Sequence, residues 1–280
     1  MNAGVLYVVG TPIGNLKDIS IRALETLKIV DFIAAEDTRI ILKLLNYYNI
    51  KNKIISYHQH SSNDKINYII NKILSGETCA LVSDAGMPCI SDPGEILISL
   101  AIKSNILIKV IPGPSALISA LSISGLPTSN FSFEGFLSNN NKHRIQHLKR
   151  LINDKRTLIF YESPHRLKNT LSDILFVFGI RRISIIKELT KIHESSKLMT
   201  TDEAVNYYNV IDKIKGEYVI ILEGSIYTTA EDKISIEEAV SMIKDLKINS
   251  NIPLSQASKI IAIKTGYKKS LLYKLSIDLS

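Results

Sequence analysis

Short apolar runs alternate with segments of helical period along the first 112 residues. The runs at 5–9, 32–35, 53–57, 78–83 and 107–111 predict strands. The segments at 20–28, 38–47, 64–74 and 94–103 predict helices between them. Such alternation predicts βαβ units and a mostly parallel sheet. Pro114-Ser115-Ala116 opens a further helical stretch that ends at Gly125. A second α/β block follows, with strands expected at 130–136, 156–162, 182–188, 195–200 and 217–223, and helices at 142–151, 165–177 and 201–210. Residues 224–231 read as a linker. The remainder is helical at 236–247, 254–264 and 269–275, with a break at Gly266 that resembles a helix-turn-helix. The expected organisation is therefore an α/β domain over 1–118, a second over 119–225, and a small helical module over 226–280.

The punctuation of this pattern carries the first chemical signal. Six of the eight prolines fall within the first 127 residues, each beside or near a glycine at the end of an apolar run. The segments are Gly10-Thr11-Pro12-Ile13-Gly14, Asp84-Ala85-Gly86-Met87-Pro88, Asp92-Pro93-Gly94, Pro112-Gly113-Pro114 and Gly125-Leu126-Pro127. Proline fixes φ, and glycine lets backbone approach a ligand closely. Rigid loops of this kind at strand C-terminal ends are where an open α/β sheet binds a small molecule. The first loop is not G-x-G-x-x-G, and Pro12 occupies its crowded centre, so a dinucleotide is not the expected ligand. Walker A and G-x-S-x-G motifs are absent. His58 and His60 share a face of an extended segment with no third ligand nearby, so no metal site is expected.

Charge and composition then narrow the partners. No run of 18 apolar residues exists, which predicts no membrane-spanning helix. The chain enters its first strand pattern at Val5 without a basic leader, and Cys79 and Cys89 lack zinc-ligand spacing; both features suit a cytoplasmic protein with free thiols. The net charge of +7 is unevenly placed. Residues 142–156 hold Lys142, Arg144, Lys149, Arg150, Lys155 and Arg156 against Asp154 alone. Residues 247–280 hold Lys247, Lys259, Lys264, Lys268, Lys269 and Lys274 against Asp278 alone. Two basic segments on a slightly acidic body suggest a polyanionic partner.

A family resemblance rests on nine ordered motifs. They are Tyr7-Val-Val-Gly-Thr-Pro-Ile-Gly-Asn15, Ala34-Ala-Glu-Asp-Thr-Arg39, Ser83-Asp-Ala-Gly-Met-Pro88, Ile90-Ser-Asp-Pro-Gly94, Ile111-Pro-Gly-Pro-Ser-Ala116, Ser124-Gly-Leu-Pro127, Phe133-Glu-Gly-Phe-Leu137, Phe160-Tyr-Glu-Ser-Pro-His-Arg166 and Glu188-Leu-Thr-Lys-Ile-His-Glu194. Together they resemble the small-subunit ribosomal RNA methyltransferase I family of the tetrapyrrole methylase superfamily, over residues 5–224. The resemblance implies two α/β domains with S-adenosylmethionine held in a cleft between them, and a helical C-terminal module. It implies methylation of a cytidine 2′-hydroxyl in 16S rRNA of the small ribosomal subunit, by a homodimer. By position it assigns the cofactor to Pro12, Asp84, Ala85, Gly86, Ser115 and Ala116. Departures from the family pattern are Gly10 in place of a common alanine, Lys187 in place of arginine, and Ser138 in place of proline. The loop Asn139-Asn140-Asn141 also lacks basic residues often found there.

Methyl transfer from a sulfonium is an in-line displacement, and a ribose hydroxyl is a weak acid that gains from a base or a stabilising cation. Among the acids and bases of the motifs, Glu162 or Glu134 is the expected base or orienter, with Arg39 and Arg166 contacting RNA phosphate. Two other readings stand beside this one: a tetrapyrrole C-methyltransferase, which has no need of the basic segments, and a non-catalytic ribosome-binding factor, which has no need of the Gly/Pro loops.

Overall fold

A computed structural model describes residues 3–225, 235–249, 252–265 and 267–278. It divides into two compact units: residues 1–119 with Leu189–Glu194, and residues 120–188 with 195–280.

In the first unit, β1 (Val5–Val9), β2 (Phe32–Ala35), β3 (Ile54–Ser56), β4 (Cys79–Val82) and β5 (Leu107–Ile111) form one sheet in the order β3-β2-β4-β1-β5. Every pairing is parallel, as the alternation of elements predicts. The helices are α1 (Ile21–Ile29), α2 (Thr38–Tyr47), α3 (Asn63–Leu74) and α4 (Glu95–Lys103), and a 3-10 turn at Leu16–Asp18 precedes α1. Side chains alternate across a strand, so β2 sends Ile33 and Ala35 to one face and Phe32 and Ala34 to the other. The first face packs Ala23, Leu27, Ile41 and Leu44 of α1 and α2; the second packs Ile66, Ile69, Ile73 and Leu97 of α3 and α4. This is the right-handed outcome. Connections toward β3 cover one face and connections toward β5 cover the other, so the winding reverses between the neighbours β1 and β4. An open α/β sheet binds its ligand outside the strand ends at such a reversal.

In the second unit, β6 (Phe131–Phe136), β7 (Thr157–Glu162), β8 (Arg182–Lys187), β9 (Ser195–Thr200) and β10 (Tyr218–Leu222) take the order β6-β7-β10-β8-β9. Only β6 and β7 pair in parallel; β7–β10, β10–β8 and β8–β9 are antiparallel. The short β8–β9 connection has no room for a crossover helix, which fixes the antiparallel sense. Helices α6 (Asn141–Arg150), α7 (Leu167–Phe178) and α8 (Thr201–Asn209) cover the sheet through Leu148, Leu171, Ile174 and Ala204, packed on Leu158, Phe160, Ile185 and Ile220. Helix α5 (Ala116–Ile123) spans the boundary between the two units in sequence.

The tail forms α9 (Ile236–Asn249), α10 (Leu254–Thr265) and α11 (Lys269–Asp278) around Ala239, Ile243, Ile261 and Leu272, with Ile180 packed against them. Lys259 of α10 lies 4.4 Å from the ring centroid of Phe176 in α7. Gly266 and most of the expected linker lie outside the described residues. No helix among the described residues is long and apolar enough to cross a membrane.

Candidate active site

The Gly/Pro loops of the first unit meet where the winding reverses. Thr11 N donates to Gly86 O at 2.9 Å, and Gly86 N returns a bond to Thr11 O at 3.1 Å. The Thr11 hydroxyl adds a bond to Ser83 O at 3.1 Å. The loops after β1 and β4 are thus stitched together. The loop after β5 joins them through glycine: a Cβ on Gly113 would lie 2.7 Å from Gly10 Cα, and one on Gly10 would lie 2.7 Å from Gly113 Cα. These two glycines allow backbone to meet backbone, which differs from the sequence expectation that they admit a ligand. Gly86 does leave space, since a Cβ there would meet only ordinary contacts, at 3.5 Å or beyond. Its φ of +81° still favours glycine.

Of the six expected cofactor residues, Pro12, Asp84, Ser115 and Ala116 are half-buried, Ala85 is exposed and Gly86 is buried, all in this unit. Ser115 O accepts from Ser119 N at 2.9 Å as α5 begins at Ala116.

Carboxylates gather around the same strand ends. Asp84 Oδ1 accepts from Asp37 N at 2.9 Å. Burial, then the charge of Asp84, raises the pKa of Glu36. Asp92 is pushed up to about 6, first by burial and then by the charge of Glu36, against a hydrogen bond from Ser83. Its loop is tightly wound: Cys89 and Ser91 both adopt left-handed backbone, at φ +72° and +64°. Non-glycine residues hold that conformation only where their surroundings enforce it. Asp92 lies in a recognised motif, but only the fold shows its carboxyl facing other acids.

Arg39 sits in the first turn of α2 with a highly exposed side chain, chelating Asp37 through Nε at 3.0 Å and Nη2 at 2.6 Å. That guanidinium holds the Asp37 pKa down at about 2.

The second unit contains the other three expected residues. Glu162 ends β7 with a side chain wholly shielded from solvent. Its Oε1 accepts from Ser163 N and Arg166 Nε, each at 2.7 Å, and its Oε2 accepts from the Thr170 hydroxyl at 2.5 Å. Arg166 Nη1 bonds to Asn139 Oδ1, and Nη2 lies 2.7 Å from the same Oε1 of Glu162. Nε and Nη1 of this guanidinium are engaged inside the protein, while the buried Nη2 makes no hydrogen bond.

Glu134 differs. The β6–β7 register shifts between Phe133 and Gly135, which leaves Glu134 as the extra residue of a bulge. Bulges re-aim side chains and recur beside active sites. Glu134 Oε1 accepts from the Ser132 hydroxyl at 2.5 Å, and Oε2 shares a hydrogen bond with His147 Nε2 at 2.8 Å. His147, on α6, has a partly exposed side chain, and no motif marked it.

One basic segment needs correcting. Arg144 is 5% exposed and binds Asp173 Oδ2 through Nε at 2.7 Å and the carbonyls of Ser138 and Asn139 through Nη1. It pins the loop before α6 and contributes nothing to a solvent-facing patch. Arg156 is paired with Asp154. Lys142, Lys149, Arg150 and Lys155 remain exposed there, as do Lys247, Lys259, Lys268, Lys269 and Lys274 in the tail.

The family model of the tetrapyrrole (corrin/porphyrin) methylases matches residues 5–205. The chain belongs to that family. It is 51% identical over 222 residues to the ribosomal RNA small subunit methyltransferase I of Halalkalibacterium halodurans, covering 79% of this chain and 76% of that protein. It is 43% identical to the protein of the same name from Synechocystis, over 99% of this chain and 98% of that one. Among solved structures, it resembles uroporphyrin-III C-methyltransferase from Thermus thermophilus, complexed with S-adenosyl homocysteine, at TM-score 0.56 and 15% identity over 78% of this chain and 97% of that one. That last likeness is one of fold.

Proposed function

We propose that this tetrapyrrole methylase transfers a methyl group from S-adenosylmethionine to a cytidine ribose 2′-hydroxyl in 16S rRNA of the small ribosomal subunit. The observation that carries the reading is the 43% identity spanning 99% of the chain, helical tail included, to a ribosomal RNA small subunit methyltransferase I. The exposed lysines of α6 and the tail suit a polyanionic substrate. Following the family's habit, we take the working form to be a cytoplasmic homodimer.

The residues of the first unit fit this donor. A sulfonium and an α-amino group are cations, which complement the carboxylates of Glu36, Asp84 and Asp92. The start of α5 at Ser115 and Ala116 offers backbone N–H groups to a carboxylate. Pro12 and the Asp84-Ala85-Gly86 turn supply rigid walls. When bound, the donor supplies an electrophilic methyl group.

The protein must then align the hydroxyl and accept its proton. Glu134 is the better base, because its bulge and its partly exposed partner His147 leave a path for a proton. Glu162 and Arg166 are positioning residues that hold one another, and Arg39 is the cation left to meet phosphate.

Incubation with labelled S-adenosylmethionine and 30S subunits, free 16S rRNA or uroporphyrinogen tests the reading. Label in alkali-resistant dinucleotides from rRNA supports it. Label confined to the porphyrinoid overturns it in favour of a tetrapyrrole C-methyltransferase, and failure of the folded chain to bind the donor in calorimetry favours a non-catalytic ribosome-binding factor.

A further inference from the structure

Between β8 and β9 the chain makes a loop that packs into the first unit. Its backbone is constrained to an unusual degree: Glu188 and Thr190 are both left-handed, at φ +53° and +64°, and the Thr190 hydroxyl is buried without a hydrogen-bond partner. The loop is braced. Glu194 Oε2 accepts from Thr190 N at 2.5 Å, Glu194 N donates to Lys191 O at 3.1 Å, and Glu188 Oε1 accepts from Glu217 N at 2.9 Å. It also sits against the loop after β1, where a Cβ on Gly14 would fall 2.7 Å from Lys191 Cγ and 2.8 Å from Leu189 O and Thr190 Oγ1. At the tip of this rigid support, Ile192 is 98% exposed, more than any other large hydrophobic residue described.

We infer that Ile192 is a wedge that packs against bases of the RNA substrate, with His193 flanking it toward the backbone. The inference rests on the RNA-methylation reading above. The loop's carboxylates support it, since Glu188 and Glu194 are turned onto backbone N–H groups and the tip itself presents an apolar side chain and an imidazole. The four residues that follow it, His193, Glu194, Ser195 and Ser196, are all polar and exposed. A single aliphatic side chain on a stiff support suits partial unstacking of bases, as in proteins that insert apolar wedges between base steps. Sequence-specific RNA recognition targets loops and bulges whose bases can be splayed out and packed against protein side chains.

The test compares the full-length wild type with Ile192→Ser and Ile192→Leu on 30S subunits. Ile192→Ser is expected to weaken 30S binding, measured without donor, and to lower kcat/KM roughly tenfold, about what burying one aliphatic side chain contributes. Ile192→Leu should stay within about twofold of wild type on the same scale. Donor affinity by calorimetry and molar mass by light scattering should not move. Unchanged 30S binding and turnover in Ile192→Ser would overturn the wedge, while a change in molar mass would assign the tip to a second copy and a loss of donor affinity would assign it to the donor site. If the wild type binds 30S subunits but methylates no RNA, the functional reading fails, and the binding comparison still decides whether the tip touches RNA.

Discussion

Arg166 Nε donates to Glu162 Oε1 at 2.7 Å, and the carboxylate it meets is completely shielded from solvent. With Ser163 N and Thr170 Oγ1 also bonded to it, Glu162 is saturated and has no path to a substrate proton. Glu162→Gln should therefore be a stability variant, losing about 3 kcal/mol as a buried ion pair is broken. Glu134→Gln should do the reverse, slowing methyl transfer a hundredfold or more while stability changes by less than about 1 kcal/mol. Urea midpoints and single-turnover rates measured on both variants separate the roles. A Glu162→Gln protein of normal stability with abolished turnover would return the base to Glu162.

Gly113 is expected to tolerate no side chain. An alanine Cβ would meet Gly10 Cα at 2.7 Å, Gly10 C at 2.8 Å and Gly10 O at 2.9 Å, all of them backbone. Moving two loops apart should cost about 1–3 kcal/mol and pull the start of α5 out of place. Calorimetric donor affinity should fall at least about tenfold in Gly113→Ala, a loss of roughly 1.4 kcal/mol. Unchanged affinity would show that this pair of loops does not shape the donor site.

Asp92 should make stability depend on pH. Its folded pKa is raised, to about 6 against an unfolded value near 3.8. Between those values the native state keeps a proton that the unfolded chain has released, so stability falls as pH rises through that window. Above it, the ionised carboxylate faces Glu36 and Asp84 at a net cost. Asp92→Asn, which can still accept from Ser83, should stabilise the protein at pH 7.5 by on the order of 1 kcal/mol, allowing for solvent screening at this half-exposed group. At pH 4 the two proteins should unfold together. Thermal scans across this range, without donor, check the sign.

Neutralising the tail is a cleaner probe of RNA binding than removing it. Deletion would uncover Ile180 and Phe176, which pack against the tail. Glutamine at Lys247, Lys268, Lys269 and Lys274 keeps that packing. The slope of log affinity against log salt for 16S rRNA should become shallower by about 0.7–0.9 for each phosphate no longer neutralised, with donor affinity unaffected. An unchanged slope would show that these lysines only face solvent.

The first sheet was legible because its strands read as short, mostly apolar runs, β2 and β4 buried along their whole length, and amphipathic helices separate them cleanly. Ser20 and Asp37 cap α1 and α2, their side-chain oxygens accepting from Ala23 N and Arg39 N. Side-chain environment was less legible. Arg144 counts as a surface charge in any sequence tally, yet Asp173, 29 residues away, draws it inward. The bulge at Glu134 depends on the register between β6 and β7, and pairing of Glu134 with His147 depends on how α6 lies over the sheet. No local spacing encodes either. Glu162 and Arg166, four apart around a proline, were both visible in one motif, but as a base and a phosphate contact rather than as partners of each other.

The loop at Leu189–Glu194 also sets a timetable. It completes the first unit, but its last residue is made 75 residues after the body of that unit ends at residue 119. At synthesis rates of 5–20 residues per second, that is a delay of about 4–15 s. During it the Gly14 loop has emerged without the partner that packs against it. The N-terminal half can form its sheet as it leaves the ribosome, but its first loop takes final shape only once most of the second sheet has been translated.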